Sequence, residues 1–405
     1  MINAADTAWV MTATALVLLM TLPALALFYG GLVQAKNILS VLVQCAAVAA
    51  MCSVLWFALG YSLAYGGNGD WLGDGSAFFL KNVTRGAVHP GTHLPESVFV
   101  MFQMTFAIIT PALIIGAYVE RIRFVAVLLV SALWLLLVYC PVAHWVWGGG
   151  YFARLGVMDF AGGIVVHVTA GVSALVIAWM IAPRRDFPHG ILPPHAPWMV
   201  MVGASLLWVG WFGFNAGSAL SSGSDAGMAI LATQLSAASA TLVWMAIEWI
   251  KFGKPSLVGA VTGTITGLAS ITPAAGVAGP LGAVLLGGLS AGVCYVAVWL
   301  VKRVVGVDDA LDVLGVHGVG GALGALLLPF VALVGAGGGV LNHAPVKQFG
   351  VQALAVIAVA VFAGLATFLI TRIVDMLVGL RVDREHETVG LDYATHGESG
   401  YHTNH

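Results

Sequence analysis

Eleven runs of roughly twenty apolar residues divide this 405-residue chain, and no other feature restricts its fold so severely. A helical run of about 20 residues matches the hydrocarbon core of a bilayer. Inside that core every backbone N–H and C=O must be satisfied within the protein, so only helices and closed barrels span it. The runs are too long for barrel strands, which need about 9–11 residues. The sequence therefore predicts an all-α polytopic membrane protein with eleven transmembrane helices, at 8–31, 38–65, 97–119, 124–147, 160–182, 197–218, 227–250, 256–276, 279–301, 309–334 and 351–377. Connections are short except 66–96, 183–196 and 335–350, and a polar tail covers 378–405.

Composition excludes the main alternatives. The chain is 60% hydrophobic and 8% charged, against about 25% charged in a soluble domain. A formal net charge of −2 offers no basic surface for nucleic acid. Cys45, Cys52, Cys140 and Cys294 sit in apolar runs without metal or disulfide spacing and read as small buried side chains. No enzymatic site, metal site or cofactor is expected. No Lys or Arg precedes Lys36, so the first run lacks the basic leader of a cleavable signal and reads as a retained span.

Lys and Arg placement sets the expected orientation. With the N-terminus outside, Lys81, Arg85, Arg154 and Lys347 face outward and the other twelve of the 16 face inward. An excess of that size marks the inner side. The N-terminus is expected outside, and the tail in the cytoplasm of a cell whose inner membrane holds the protein. Eleven spans divide as five, five and one. Five spans reverse the chain's direction, so 8–182 and 197–334 are expected to form inverted halves, with 351–377 as the last helix of a 1–377 transmembrane domain.

A twinned device supports that division. Asp159 precedes His167 by eight residues, and Asp309 precedes His317 by eight, in the fifth and tenth runs. A His at membrane depth is costly and usually functional. The adjacent Gly162, Gly163, Gly315, Gly318, Gly320 and Gly321 would let two helices approach until the rings touch. Such a pair would share one proton, because two imidazolium charges repel in a low dielectric. A bland alternative is a satisfied interhelical hydrogen bonder; another is a pair of haem ligands. Asp159 also reads as an N-cap, and its charge would extend toward a cation site; Asp309 and Asp312 read simply as caps. Phe102 and Phe106 share a helix face. Trp147, Trp211 and Phe214 fall near the outer ends of spans four and six. Trp at such ends commonly forms an interfacial belt, but a convergent set with Ser218 would hold a small cation by cation–π contact and one hydrogen bond.

Taken together, Phe28-Tyr29-Gly30-Gly31, Glu120-Arg121-Ile122-Arg123-Phe124, Asp159 through His167, Trp211 through Ser218, Thr272-Pro273 and Gly315-Val316-His317-Gly318 resemble the ammonium transporter family (Amt/Mep/Rh) over essentially the whole length. Trp147 and Ser218 favour its bacterial Amt branch. The resemblance implies ammonium/ammonia as substrate, with methylammonium as an analogue. It implies an outer recruitment site of Trp147, Ser218, Phe102, Trp211 and Asp159, a gate of Phe106 and Phe214, and a pore pair of His167 and His317. It further implies a homotrimer in membrane lipid with a pore in each subunit. The tail pattern Gly379, Arg381, Asp392, His396, Glu398 and Tyr401 follows the family's regulatory C-terminus, where a PII-type signal protein docks in many relatives. A passive ammonia gas channel and an ammonium sensor are the functional alternatives.

Overall fold

A computed structural model describes residues 1–190 and 192–401. The apolar runs are helices: α1 (Ala4–Leu32), α2 (Ala35–Tyr65), α3 (Glu96–Tyr118), α4 (Phe124–Arg154, broken by a turn at 147–150), α5 (Gly163–Met180), α6 (Pro197–Gly217), α7 (Ser224–Phe252), α8 (Leu257–Ile271), α9 (Pro280–Val305), α10 (Leu314–Val331) and α11 (Pro345–Val378). The tail adds α12 (Arg384–Val389) and α13 (Leu391–His396). No β-strand forms among the described residues, only isolated bridges at Val88–Pro95 and Ile122–Arg381.

The eighth expected span is shorter than the sequence implied. Among the described residues, ten helices are long and apolar enough to cross a bilayer. The eighth run, expected to span 256–276, gives only the 15-residue α8. At 1.5 Å per residue that helix rises about 22 Å, short of a ~30 Å hydrocarbon core. The chain turns instead through 272–277, and this turn meets the segment ahead of α5, where the Phe160 N–H donates to the Pro273 carbonyl at 3.1 Å.

Small residues bring α5 and α10 together. A Cβ placed on Gly171 would lie 2.4 Å from the Gly318 Cα, and one on Gly321 would lie 2.6 Å from the His167 Cβ. Either contact would force the helices apart. Both helices open with a wide π-type turn, over 163–168 and 314–318, and each turn carries one of the twin histidines. The four cysteines are free and buried, as their apolar runs implied.

The tail packs rather than trails. The Arg123 N–H donates to the Leu380 carbonyl at 2.8 Å, and the Val382 N–H to the Arg121 carbonyl at 3.0 Å. Gly379 makes the exit from α11 at φ +71°, a conformation that suits glycine. Arg381 binds both oxygens of Glu387 and the Ile181 and Pro183 carbonyls. Lys36 donates to the Glu387 and Thr388 carbonyls. The Asp392 carboxylate accepts the Ser40 N–H at 2.8 Å, so a tail residue caps the first turn of the long helical part of α2. His396 lies edge-on to Phe124, Tyr401 pairs with His195, and the Glu398 N–H returns to the Asp392 carbonyl. Residues 402–405 of the expected tail lie outside the described residues.

Beneath the tail lies a buried ion cluster. Arg184 bridges Glu120 Oε2 at 2.9 Å and Asp308 Oδ1 at 2.8 Å, and Arg121 Nη1 stands 3.7 Å from Asp308 Oδ2. Burial alone would raise the Asp308 carboxyl, but its hydrogen bonds and charge contacts with Arg184, together with Arg121, hold it below the ordinary carboxylate value. A depressed folded-state pKa gives stability that is present above about pH 4 and is lost as pH falls through the folded value. Asp308→Asn leaves two guanidinium groups short of a buried counter-charge and is expected to cost about 3–5 kcal/mol. A melt in detergent at neutral pH checks this: a large drop in melting temperature is expected, and the difference from wild type should shrink once the pH falls below the Asp308 titration.

Candidate functional site

A line of aromatic and imidazole rings runs through the interior. At one end the Trp147 indole N–H donates to the Asp159 carbonyl at 2.7 Å. Phe106 stands edge-on to Trp147, centroids 5.9 Å apart at 86°, and lies over Phe214 at 4.4 Å and 34°. Both Phe rings are buried, and their stack lies directly beneath Trp147. Phe102 flanks Phe106 at 5.1 Å. Ser218 caps the C-terminus of α6, its hydroxyl donating to the Phe214 carbonyl at 2.8 Å, one turn beyond the stack. Below it, the His167 ring follows Phe214 at 6.1 Å and packs on His317 at 5.2 Å, with the two Nδ1 atoms 3.3 Å apart.

The sequence-derived residues thus converge, with one shift of position. Trp211 does not lie at the outer end of α6. It is buried beside His167, centroids 5.5 Å apart, and its N–H donates to the Thr272 hydroxyl at 2.9 Å. It sits seven residues before Ser218, about 10 Å further down the helix. The rings of His167 and His317 touch directly, so a haem macrocycle has no room between them.

Asp159 binds more than a single cap. Oδ1 accepts the N–H groups of Gly162 and Gly163, at 3.1 and 2.6 Å, and Oδ2 accepts those of Ile164 and Val165, at 2.8 and 2.9 Å. Gly162 at φ +113° lets the chain wrap round the carboxylate. Four donors fill both oxygens, so a cation near Trp147 would feel the charge of Asp159 through space and meet its backbone carbonyl. Asp309 repeats the device more weakly, with Oδ2 accepting the Leu314 N–H at 2.7 Å. Asp312 was expected to cap as well; its carboxylate instead pairs with Lys302 at 2.6 Å.

The His pair lines a narrow apolar cavity of about 10 Å³, with Met20, Leu25, Ile109, Leu113, Leu207 and Ile265 among its other walls. That is room for about one water-sized molecule. His317, Phe28 and Ile265 also line a second, larger cavity, a vestibule of about 1090 Å³ whose walls include Tyr29, Glu120, Arg184, Lys302 and the tail residues Arg381, Arg384, Glu387 and Thr388. Thr272 is the site residue to which sequence reasoning gave no role. Its only signal was the Thr272-Pro273 step, one of the motifs that carry the resemblance.

A family model described as the Ammonium Transporter Family matches residues 8–401. The chain is 42% identical to the ammonium transporter of Bacillus subtilis, over 98% of each chain. Among solved structures it superposes on a sensor Amt protein with a TM-score of 0.89 at 29% identity, covering 96% of this chain and 98% of that one. It superposes on Saccharomyces cerevisiae Mep2 with a TM-score of 0.85 at 33% identity, covering 94% and 91%.

Proposed function

The chain belongs to the ammonium transporter family, and from that premise we propose that it recruits ammonium at Trp147, removes one proton, and conducts ammonia past His167 and His317. The observation that carries this reading is the order of parts: an aromatic site, the buried Phe106–Phe214 stack, a cavity of about 10 Å³ and a vestibule that shares His317 with it.

Energetics favour losing the proton. Transferring an unpaired cation into an apolar lumen costs tens of kcal/mol by Born estimates. Ammonium titrates near a Lys side chain, so deprotonation at pH 7 costs only about 4 kcal/mol. Potassium has no proton to lose and finds no ring of carbonyls to replace its water. Trp147, Phe106 and Phe214 supply cation–π faces, Ser218 and Phe102 complete the recruitment site, and the Asp159 charge favours the cation form there. Trp211 supports the His pair from below the stack.

The same reading covers the frame. Ten long helices with the short α8 make eleven segments, and the twinned π-turns of α5 and α10 fit inverted five-helix halves. Lys36, Arg121, Arg123, Arg184 and Arg381 meet on one face, which the positive-inside rule assigns to the cytoplasm. The protein then works as a homotrimer in the inner membrane. Current recorded from reconstituted protein under an ammonium gradient tests the mechanism. A current that follows ammonium and not potassium supports charge-coupled transport; ammonia flux without charge movement identifies a passive channel. Likeness to a sensor Amt protein favours ammonium sensing as the second reading, and uptake of labelled methylammonium by cells expressing the chain separates the two.

The packed tail is the docking platform for a PII-type protein in this reading. Full-length protein is expected to retain such a partner in a pull-down at least tenfold better than protein truncated after Val378. Equal retention by both, or none by either, overturns the tail's role.

A further inference from the structure

The hydroxyl of Thr272 has three polar neighbours, and they constrain where the protons of the His pair sit. A hydroxyl carries one proton and two acceptor lone pairs. The Thr272 hydroxyl stands 2.8 Å from the Leu268 carbonyl, which can only accept. It stands 2.9 Å from the Trp211 indole nitrogen, which can only donate. Its proton is therefore committed to Leu268 and one lone pair to Trp211. The one position left is a lone pair, and the neighbour there is His167 Nε2 at 3.4 Å. Two lone pairs facing each other in a buried, apolar setting repel, so the proton of a neutral His167 lies on Nε2.

The consequence passes to the partner ring. With its proton on Nε2, neutral His167 carries a bare lone pair at Nδ1. His317 Nδ1 is 3.3 Å away, so it must donate, which leaves His317 Nε2 as an acceptor on the ring that lines the vestibule. The tautomer of one ring is set by the bond its other nitrogen makes, and here the setting runs from Leu268 through Thr272 to both rings.

We infer that Thr272 is a positioning residue that holds the resting His pair in one proton arrangement, His167 protonated at Nε2 and His317 at Nδ1. His317 Nε2 is then the pair's one free acceptor, available to an ammonia N–H. A proton arriving from the Phe214 side finds no free lone pair on His167: Nε2 carries a proton already and Nδ1 is engaged by His317. Inward proton relay through the pair thus requires the Thr272–His167 contact to open and both rings to exchange tautomers first. This inference takes from the proposed function only that the pair lines the path.

The test is ¹⁵N solid-state NMR of full-length, liposome-reconstituted protein labelled at histidine, at neutral pH, with His167 and His317 assigned by loss of their signals in His167→Asn and His317→Asn. Wild type is expected to show His167 as the Nε2–H form and His317 as the Nδ1–H form. Thr272→Ser keeps the pattern. Thr272→Val, which keeps the shape and removes the hydroxyl, is expected to raise the Nδ1–H population of His167 at least fivefold. His167 protonated at Nδ1 in wild type, or an unchanged pattern in Thr272→Val, overturns the inference; the wild-type spectrum decides it even if the Val variant does not fold. The pattern in a protein that moves no ammonium supports this arrangement while defeating the transport reading.

Discussion

Replacing His167 or His317 by alanine is expected to remove ammonium-selective transport, by a factor of ten or more, while leaving the protein folded. The pair supplies the polar edge of the narrow cavity, whose other walls are mostly apolar side chains. A passing ammonia that loses one hydrogen bond there loses about 1–1.5 kcal/mol, roughly tenfold in rate. Alanine also leaves the surviving ring without its partner at Nδ1, which costs about 1–3 kcal/mol. That is below the 5–15 kcal/mol typical of a folded protein. A widened lumen has a second effect, since room for water lowers the barrier to hydrated cations. Flux assays in liposomes with ammonium and potassium, run on both variants, read the two effects separately. Wild-type ammonium flux with unchanged potassium exclusion in both variants removes the pair from the pathway.

Asp159 carries the second large expectation. Asp159→Ala strips the acceptors from four buried N–H groups and is expected to destabilise the protein by several kcal/mol, at about 1–3 kcal/mol per orphaned group. From sequence alone Asn looks like a conservative probe, because a cap needs only an acceptor oxygen. The geometry removes that simplicity. Each carboxylate oxygen binds two N–H groups, and an amide turns a donor toward one of those pairs. Asp159→Asn is therefore expected to lose stability as well as activity, with a melting temperature between those of Ala and wild type. Melting curves and methylammonium uptake on both variants check this. An Asn variant as stable as wild type and inactive would isolate the charge as the functional property; one that is stable and active would leave Asp159 only a cap.

Much of this arrangement is legible in the sequence. The lengths of the apolar runs place ten of the helices, and the Asp-His spacing marks the segments that meet at the centre. What escapes are features set by contacts distant in sequence. The eighth run is apolar throughout, so nothing local reports that its last residues turn to meet the segment before α5. Trp211 reads as part of an interfacial belt because Trp commonly occupies that depth; its buried acceptor belongs to a residue 61 positions away. Thr272 is one hydroxyl in an apolar run, where bonding back to the carbonyl four residues earlier is the usual reading. It makes that bond too, and the two further contacts appear only in three dimensions. A polar tail is by default disordered; its order comes from partners in three separate loops.

The tail's place in the vestibule wall changes what regulation would require. Arg381, Arg384, Glu387 and Thr388 line the same opening as His317. A protein that gripped α12 would already stand in the doorway. It would need no relay of small shifts through packed helices to alter passage, because reshaping the tail reshapes the exit. Occupancy of that face and throughput would then change together, as with a valve seat rather than a lever.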